Sequence, residues 1–186
     1  MTRVRAAVMI APVLLASAFA GCKPKPKPPD VPALVEDLKS ADQGKRGKAS
    51  LALVTIGEPA VPYLVEMLKS PEAAHRTTAV STLFGMGPKA REAALPLGQA
   101  LSDPEVDVRM GAAMALESIG PDAAPAVPAL VGALEDDQGI VRQRAAIALG
   151  AIGPAAREAV PALVKASKWD PVRAAAEEAV RKIKAK

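Results

Sequence analysis

The chain has 186 residues, half of them apolar, 24% charged and only 2% aromatic; with alanine abundant, this composition points to one helical domain. A single cysteine excludes an internal disulfide, and a single histidine, His75, excludes a histidine-based triad or a multi-histidine metal site. The net charge of +4 does not mark a nucleic-acid binder. From Val31 onward 19 basic residues (24 less Arg3, Arg5, Lys23, Lys25 and Lys27) meet 19 acidic ones (20 less Asp30), and Tyr63, Phe84 and Trp169 make no stacking platform.

The chain opens MTRVRAAVMIAPVLLASAFAGC. Arg3 and Arg5 precede an apolar run from Ala6 to Ala20, 15 residues long. That is too short for a transmembrane helix and suits a secretory signal. Two kinds of cleavage fit. Ala18-Phe19-Ala20 is an A-x-A site whose cutting would release a soluble protein. Phe19-Ala20-Gly21-Cys22 resembles the lipobox of bacterial lipoproteins, which implies a lipid on Cys22 as the first mature residue. Lipidation is favoured because Cys22 is the sole cysteine and ends the apolar run; the lipid chains expected there exceed what stable anchoring needs.

Lys23 to Pro29, KPKPKPP, has nothing apolar to bury and favours extended polyproline II. At roughly 3.1 Å per residue it holds whatever follows some 20 to 25 Å from the lipid. The expected organisation is a signal peptide over 1–21, a lipidated cysteine and Pro/Lys spacer over 22–30, and a repeat domain over 31–186.

The repeat is clearest in Val108 to Gly120, VRMGAAMALESIG, and Val141 to Gly153, VRQRAAIALGAIG, 33 positions later. Looser copies run from Lys45 to Gly57 and from His75 to Gly87, and a worn one from Val172 to Lys184. A fixed period in the thirties marks a solenoid of stacked supersecondary units. Val108, Ala112, Leu116 and Ile119 lie along one helical face and form the core stripe of a second helix. Gly57, Gly87, Gly120 and Gly153 stop that helix in the left-handed conformation, so the glycines end helices and none builds a phosphate loop.

Ser40, Ser70, Asp103, Asp136 and Asp170 are expected to cap the second helices, with Pro71, Pro104 and Pro171 in the first helical position. The first helices carry leucines at 34, 38, 64, 68, 97, 101, 130 and 134, with Pro32, Pro62, Pro96, Pro128 and Pro161 near their starts and Pro96 one place out of register. The first junction, Gly57 to Leu68, spans 11 positions where the next two span 14, so the curvature should change there. Repeat five ends in Arg181, Lys182, Lys184 and Lys186, the polar finish that keeps an array soluble.

At these residues, over Val31 to about Lys184, the chain resembles HEAT repeats of the short type named after the phycobilisome bilin lyases. The resemblance implies an all-α, right-handed superhelical solenoid of five helix pairs, with the second helices on the concave side. It also implies that Asp103, Arg109, Asp136 and Arg142 form a structural ladder between and within units. The fold alone does not fix a function. The paired His-Glu motifs of the dinuclear-iron HEAT-like hydroxylases are absent, and an exported chain would not meet the substrates of the cytoplasmic bilin lyases.

His75 stands where Val108 and Val141 stand and is expected to pack at a helix entry. No catalytic constellation emerges, and no cofactor, metal, nucleic acid or small-molecule substrate is expected. What remains is the concave face: Thr77, Ser81 and Phe84, then Met110, Met114 and Glu117, then Gln143, Arg144 and Ile147. Methionine and phenylalanine on an exposed face suit adaptable protein binding, and the same side chains could instead be packed between repeats. The expected function is a non-enzymatic scaffold or adaptor for another envelope protein. It would be exported and anchored through Cys22 to a bacterial membrane, the outer one in a Gram-negative cell. The alternative is an accessory or chaperone-like subunit of an enzyme.

Overall fold

The computed structural model describes residues 30–185. The signal-like segment, Cys22 and the spacer through Pro29 lie outside the described residues. The described residues fold as ten α-helices in five antiparallel pairs and contain no strand. The pairs are α1 (Val31–Leu38) with α2 (Gln43–Ile56), α3 (Val61–Met67) with α4 (Ala73–Met86), α5 (Ala94–Ala100) with α6 (Val106–Ile119), α7 (Val127–Ala133) with α8 (Gly139–Ile152), and α9 (Val160–Ala166) with α10 (Arg173–Lys184). The chain is an α-solenoid.

The interior is built by repetition. Each of the first nine helices sends one fully buried leucine inward, at 38, 53, 64, 83, 97, 116, 130, 149 and 163, and α10 sends Ile183. The stripe Val108, Ala112, Leu116 and Ile119 is buried throughout, as its spacing predicts. Ala112, Ala113, Ala145 and Ala146 are fully buried as well. By length and composition alone the run Gly139–Ala166 is apolar enough to cross a membrane; it is α8, a 3₁₀ segment and α9, broken at Gly153, and its leucines belong to the solenoid core.

The first four second helices each end at a glycine with φ between 57 and 75° and ψ near −135°, as at Gly120 (74°, −137°). This differs from the left-handed helical region expected. It is a conformation that only glycine adopts cheaply, and it turns the chain directly into a 3₁₀ segment. Those segments are Glu58–Ala60, Gly87–Ala93, Gly120–Ala126 and Gly153–Ala159. The shortened first junction therefore appears as a three-residue 3₁₀ segment where the others have seven, and α2 meets α4 much less extensively than α4 meets α6. Prolines 32, 62, 128 and 161 occupy the second position of their helices and Pro96 the third of α5.

The expected caps need correction. The N-caps of the second helices lie two residues beyond Ser40, Ser70, Asp103, Asp136 and Asp170, at Asp42, Glu72, Glu105, Gln138 and Val172. The first four of these Ser and Asp side chains instead accept from the backbone N–H two residues on, closing a side-chain turn, and Pro71, Pro104 and Pro171 lie in the turns outside the helices. Asp42 is the one second-helix N-cap whose side chain holds first-turn amides, those of Gly44 and Lys45, and Asp30 does the same for Ala33 at the start of α1.

Candidate functional site

Two surfaces carry organised polar or apolar side chains: the edge formed by the turns within each pair, and the wall formed by the second helices. On the edge, Arg76 grips Asp103 through Nε–Oδ2 at 2.7 Å and Nη2–Oδ1 at 2.9 Å. Arg109 repeats this on Asp136 at 2.7 and 3.1 Å and also reaches Asp137 Oδ1 at 2.9 Å. The third guanidinium nitrogen, Nη1, donates to the two backbone carbonyls at the start of its own turn, Ser70 and Pro71 for Arg76, Asp103 and Pro104 for Arg109. Each arginine thus fastens its own turn and the next one.

Burial alone would raise the carboxyls of Asp103 and Asp136. The bonds from Arg76 and Arg109 and from the Glu105 and Gln138 amides outweigh it and hold both below the usual aspartate range. The partner arginines are held above their ordinary value, first by the same bonds. Asp103, Asp136 and Arg109 are therefore rungs of a ladder, as the resemblance to HEAT repeats implied. Arg142 departs from it: its Nη1 holds Asp136 O and Asp137 O, and its guanidinium lies over the ring of Trp169, 5.8 Å from the centroid, with no carboxylate in the fork.

The 14-residue second helices pack on one another along the stack, α4 on α6 and α6 on α8. The wall they form, the inner wall, is the one that the resemblance to HEAT repeats puts on the concave side. Glycines allow the approach. A Cβ on Gly111 would stand 2.5 Å from Val80 Cγ2, one on Gly150 3.0 Å from Ala179 Cα, and one on Gly85 3.2 Å from Val54 Cγ2. The expectation that glycines only end helices is corrected by these three.

On this wall Ser81 and Phe84 are exposed, Phe84 by 41%, and Thr77, Met110, Met114, Glu117, Gln143, Arg144 and Ile147 are half-buried. Met110 packs partly on the core, and Thr77 turns its hydroxyl back to Ala73 O at 3.0 Å. Arg144 Nη1 lies 3.8 Å from Glu117 Oε2, a loose pair bridging α8 and α6, and Ser118 Oγ donates to Phe84 O at 3.0 Å, tying α6 to α4. His75 is half-buried with Nδ1 3.1 Å from Ser70 Oγ, so it is less enclosed than the fully buried Val108 and Val141. Among the described residues no three His, Cys, Asp or Glu side chains converge to hold a metal ion.

Residues 94–181 match the family of HEAT repeats. That match covers just under half of the chain. Solved structures extend the likeness of fold over most of the array. A chain from the complex of CpcE and CpcF of phycocyanin lyase from Nostoc sp. PCC7120 superposes with a TM-score of 0.66 at 22% identity, over 80% of this chain and 96% of that one. An engineered protein matches at 0.62 and 26% identity, over 83% and 79%. A designed armadillo repeat protein in complex with the peptide (KR)4 matches at 0.63 and 21%, over 81% and 80%. No curated protein sequence matches the chain.

The repeat register also places one side chain that the sequence reading passed over. Leu51 on α2 is 68% exposed and stands 30 positions before Ser81, which is followed at 33-residue steps by Met114 and Ile147. The four form one row across the inner wall. The signal was present in the period itself, since Leu51 is off the core stripe Ala49–Leu53 of its own helix.

Proposed function

We propose that the chain is a non-catalytic scaffold that holds a partner protein against the inner wall of the solenoid. The observation behind this is the group of apolar side chains that reach the surface there: exposed Leu51 and Phe84 with half-buried Met114 and Ile147 beside them, flanked by the Arg144–Glu117 pair. Flexible methionines beside an exposed aromatic ring suit a partner surface better than a small polar substrate. The fold supports the same reading, since the designed armadillo relative is in complex with a peptide and CpcE is in complex with CpcF.

The export signal and the lipid on Cys22 belong to this proposal, supported by the sequence of residues 1–22. They place the array beyond the Pro/Lys spacer, in reach of other envelope proteins and tethered to a bacterial membrane. An accessory subunit of an enzyme is the second reading, favoured by the likeness to CpcE. The two readings differ in whether the captured partner is itself an enzyme whose activity needs this chain.

A photo-crosslinking residue at Met114, in cells, tests the scaffold reading, with one at Leu95 on the outer layer as control. A discrete crosslinked partner from position 114 that is lost on Phe84→Ala is the expected result. Equal crosslinking from both positions, or none from 114, rejects the inner wall as a docking surface. Metabolic labelling with a palmitate analogue tests the anchor: label that persists in Cys22→Ala rejects the lipid assignment.

A further inference from the structure

Arg142 is a ladder arginine whose fork is left without its carboxylate. In Arg76 and Arg109 the Nε and Nη2 edge takes the aspartate 27 positions on, Asp103 and Asp136. In the fifth repeat, whose turn is two residues shorter, the corresponding position is Ser167, whose hydroxyl donates to Val164 O, and Trp169 stands over the guanidinium instead. Arg142 Nε is buried and has no hydrogen-bond partner among the described residues. A buried donor on a charged group left unsatisfied is costly, so this edge is poised for an acceptor.

Beside it opens a groove of about 510 Å³ lined by Glu135, Asp136, Arg142, Trp169 and Asp170. Its three carboxylates already have cations: Glu135 has Lys165 at 2.7 Å, Asp136 has Arg109 at 2.7 Å, and Asp170 has Arg173 at 3.6 Å. The charge left without a counter-ion in the groove is that of Arg142.

We propose that this groove binds an aspartate or glutamate side chain of a partner protein, which completes the ladder at Arg142 from outside. The incoming carboxylate takes the Nε and Nη2 edge that Asp103 and Asp136 take in the preceding rungs, and the Trp169 ring turns aside to admit it. The volume accommodates a side chain with flanking backbone, which a free small acid would leave mostly empty. The site lies on the edge of the turns and does not rest on the inner-wall reading.

Trp169 is the chain's one tryptophan, so its emission reports on this groove alone. The full chain in detergent is titrated with an end-blocked peptide carrying one Glu among glycines, with the matched Gln peptide, and with acetate. The Glu peptide is expected to shift the emission saturably, less so at high salt, and the Gln peptide to leave it unchanged. Arg142→Lys keeps the charge and loses the fork, and should weaken the Glu peptide at least tenfold while the chain stays folded, with a modest drop in melting temperature from the turn bonds of Nη1. No saturable shift, an equal shift with the Gln peptide, or a shift that survives both Arg142→Lys and Arg142→Gln overturns the proposal. Acetate matching the peptide at equal concentration overturns the protein source and leaves a site for small free carboxylates.

Discussion

Arg109 on α6 holds Asp136 of the next repeat through two parallel bonds while its remaining nitrogen holds its own turn, and the two side chains are only 12% and 9% exposed. The pair is the solenoid's longitudinal fastening, and it is unequal to its neighbour. Arg109 has Asp137 as a second carboxylate, whereas Arg76 has Asp103 alone among the described residues.

Removing one partner of such a shielded pair costs about 3 to 5 kcal/mol when the other is stranded. Asp103→Ala should fall near that range, and Asp136→Ala clearly below it because Asp137 remains within 2.9 Å of Arg109. Urea denaturation of the two variants checks the order; equal losses would show that Asp137 contributes nothing.

The same carboxyls set an acid limit. Both hold protons less tightly folded than unfolded, so acid favours the unfolded chain. Their contribution is complete above the unfolded aspartate value, about 3.9, and is lost as pH falls through the lower folded values. Melting temperature should be flat from neutral to about pH 5 and fall below about pH 4. In the Asp103→Asn, Asp136→Asn double variant that acid limb should be shallower, with a lower plateau.

The helix glycines give a prediction of opposite signs. Gly111→Ala places a Cβ 2.5 Å from Val80 Cγ2, and overpacking of this kind costs typically 1 to 3 kcal/mol. Gly132→Ala, in α7 with nothing within 4 Å of the new Cβ, should stabilise by about 0.5 to 1 kcal/mol. Thermal melts read both, and a stable Gly111→Ala would mean that α4 and α6 are less closely apposed.

The inner-wall side chains should be separable from the core. Phe84→Ala and Met114→Ala are expected to cost well under 1 kcal/mol, whereas Leu116→Ala, fully buried, should cost about 2 to 5. Large destabilisation by Phe84→Ala would assign that ring to packing and remove it from the docking surface.

Much of this fold was legible because it is local and repeated. The stripe Val108, Ala112, Leu116, Ile119 is a statement about one helix, and its buried outcome needs no knowledge of the others. The helix starts were misplaced because Ser and Asp form i to i+2 turns and N-caps with the same side-chain oxygen, and only the backbone entering Glu105 in an extended conformation tells them apart. Gly111 was unreadable for a different reason: its need arises from Val80 on another helix, and no spacing within α6 reports it. Asp170 was read as the fifth cap, whereas Arg173 Nε donates to the Ser167 carbonyl six positions back, as the earlier arginines do to their own turns; a loop two residues shorter than in repeat four had shifted the register. The inner-wall residues were legible as a face, but which of them stand open depends on how closely neighbouring repeats approach.

The three-residue 3₁₀ segment at Glu58–Ala60 gives the array a predetermined order of opening. In a one-dimensional stack, stability is a sum of units and of the contacts between neighbours, so the weakest contact sets where the stack parts first. Amide protons of α1 and α2 should therefore exchange through an opening that leaves α4 to α10 closed, in two kinetic classes where a uniform array would show one. Tension applied through the N-terminal end, where the proposed lipid tether attaches, falls on that same contact. The first pair would then yield as an extensible leader while the inner wall from α4 onward keeps its shape.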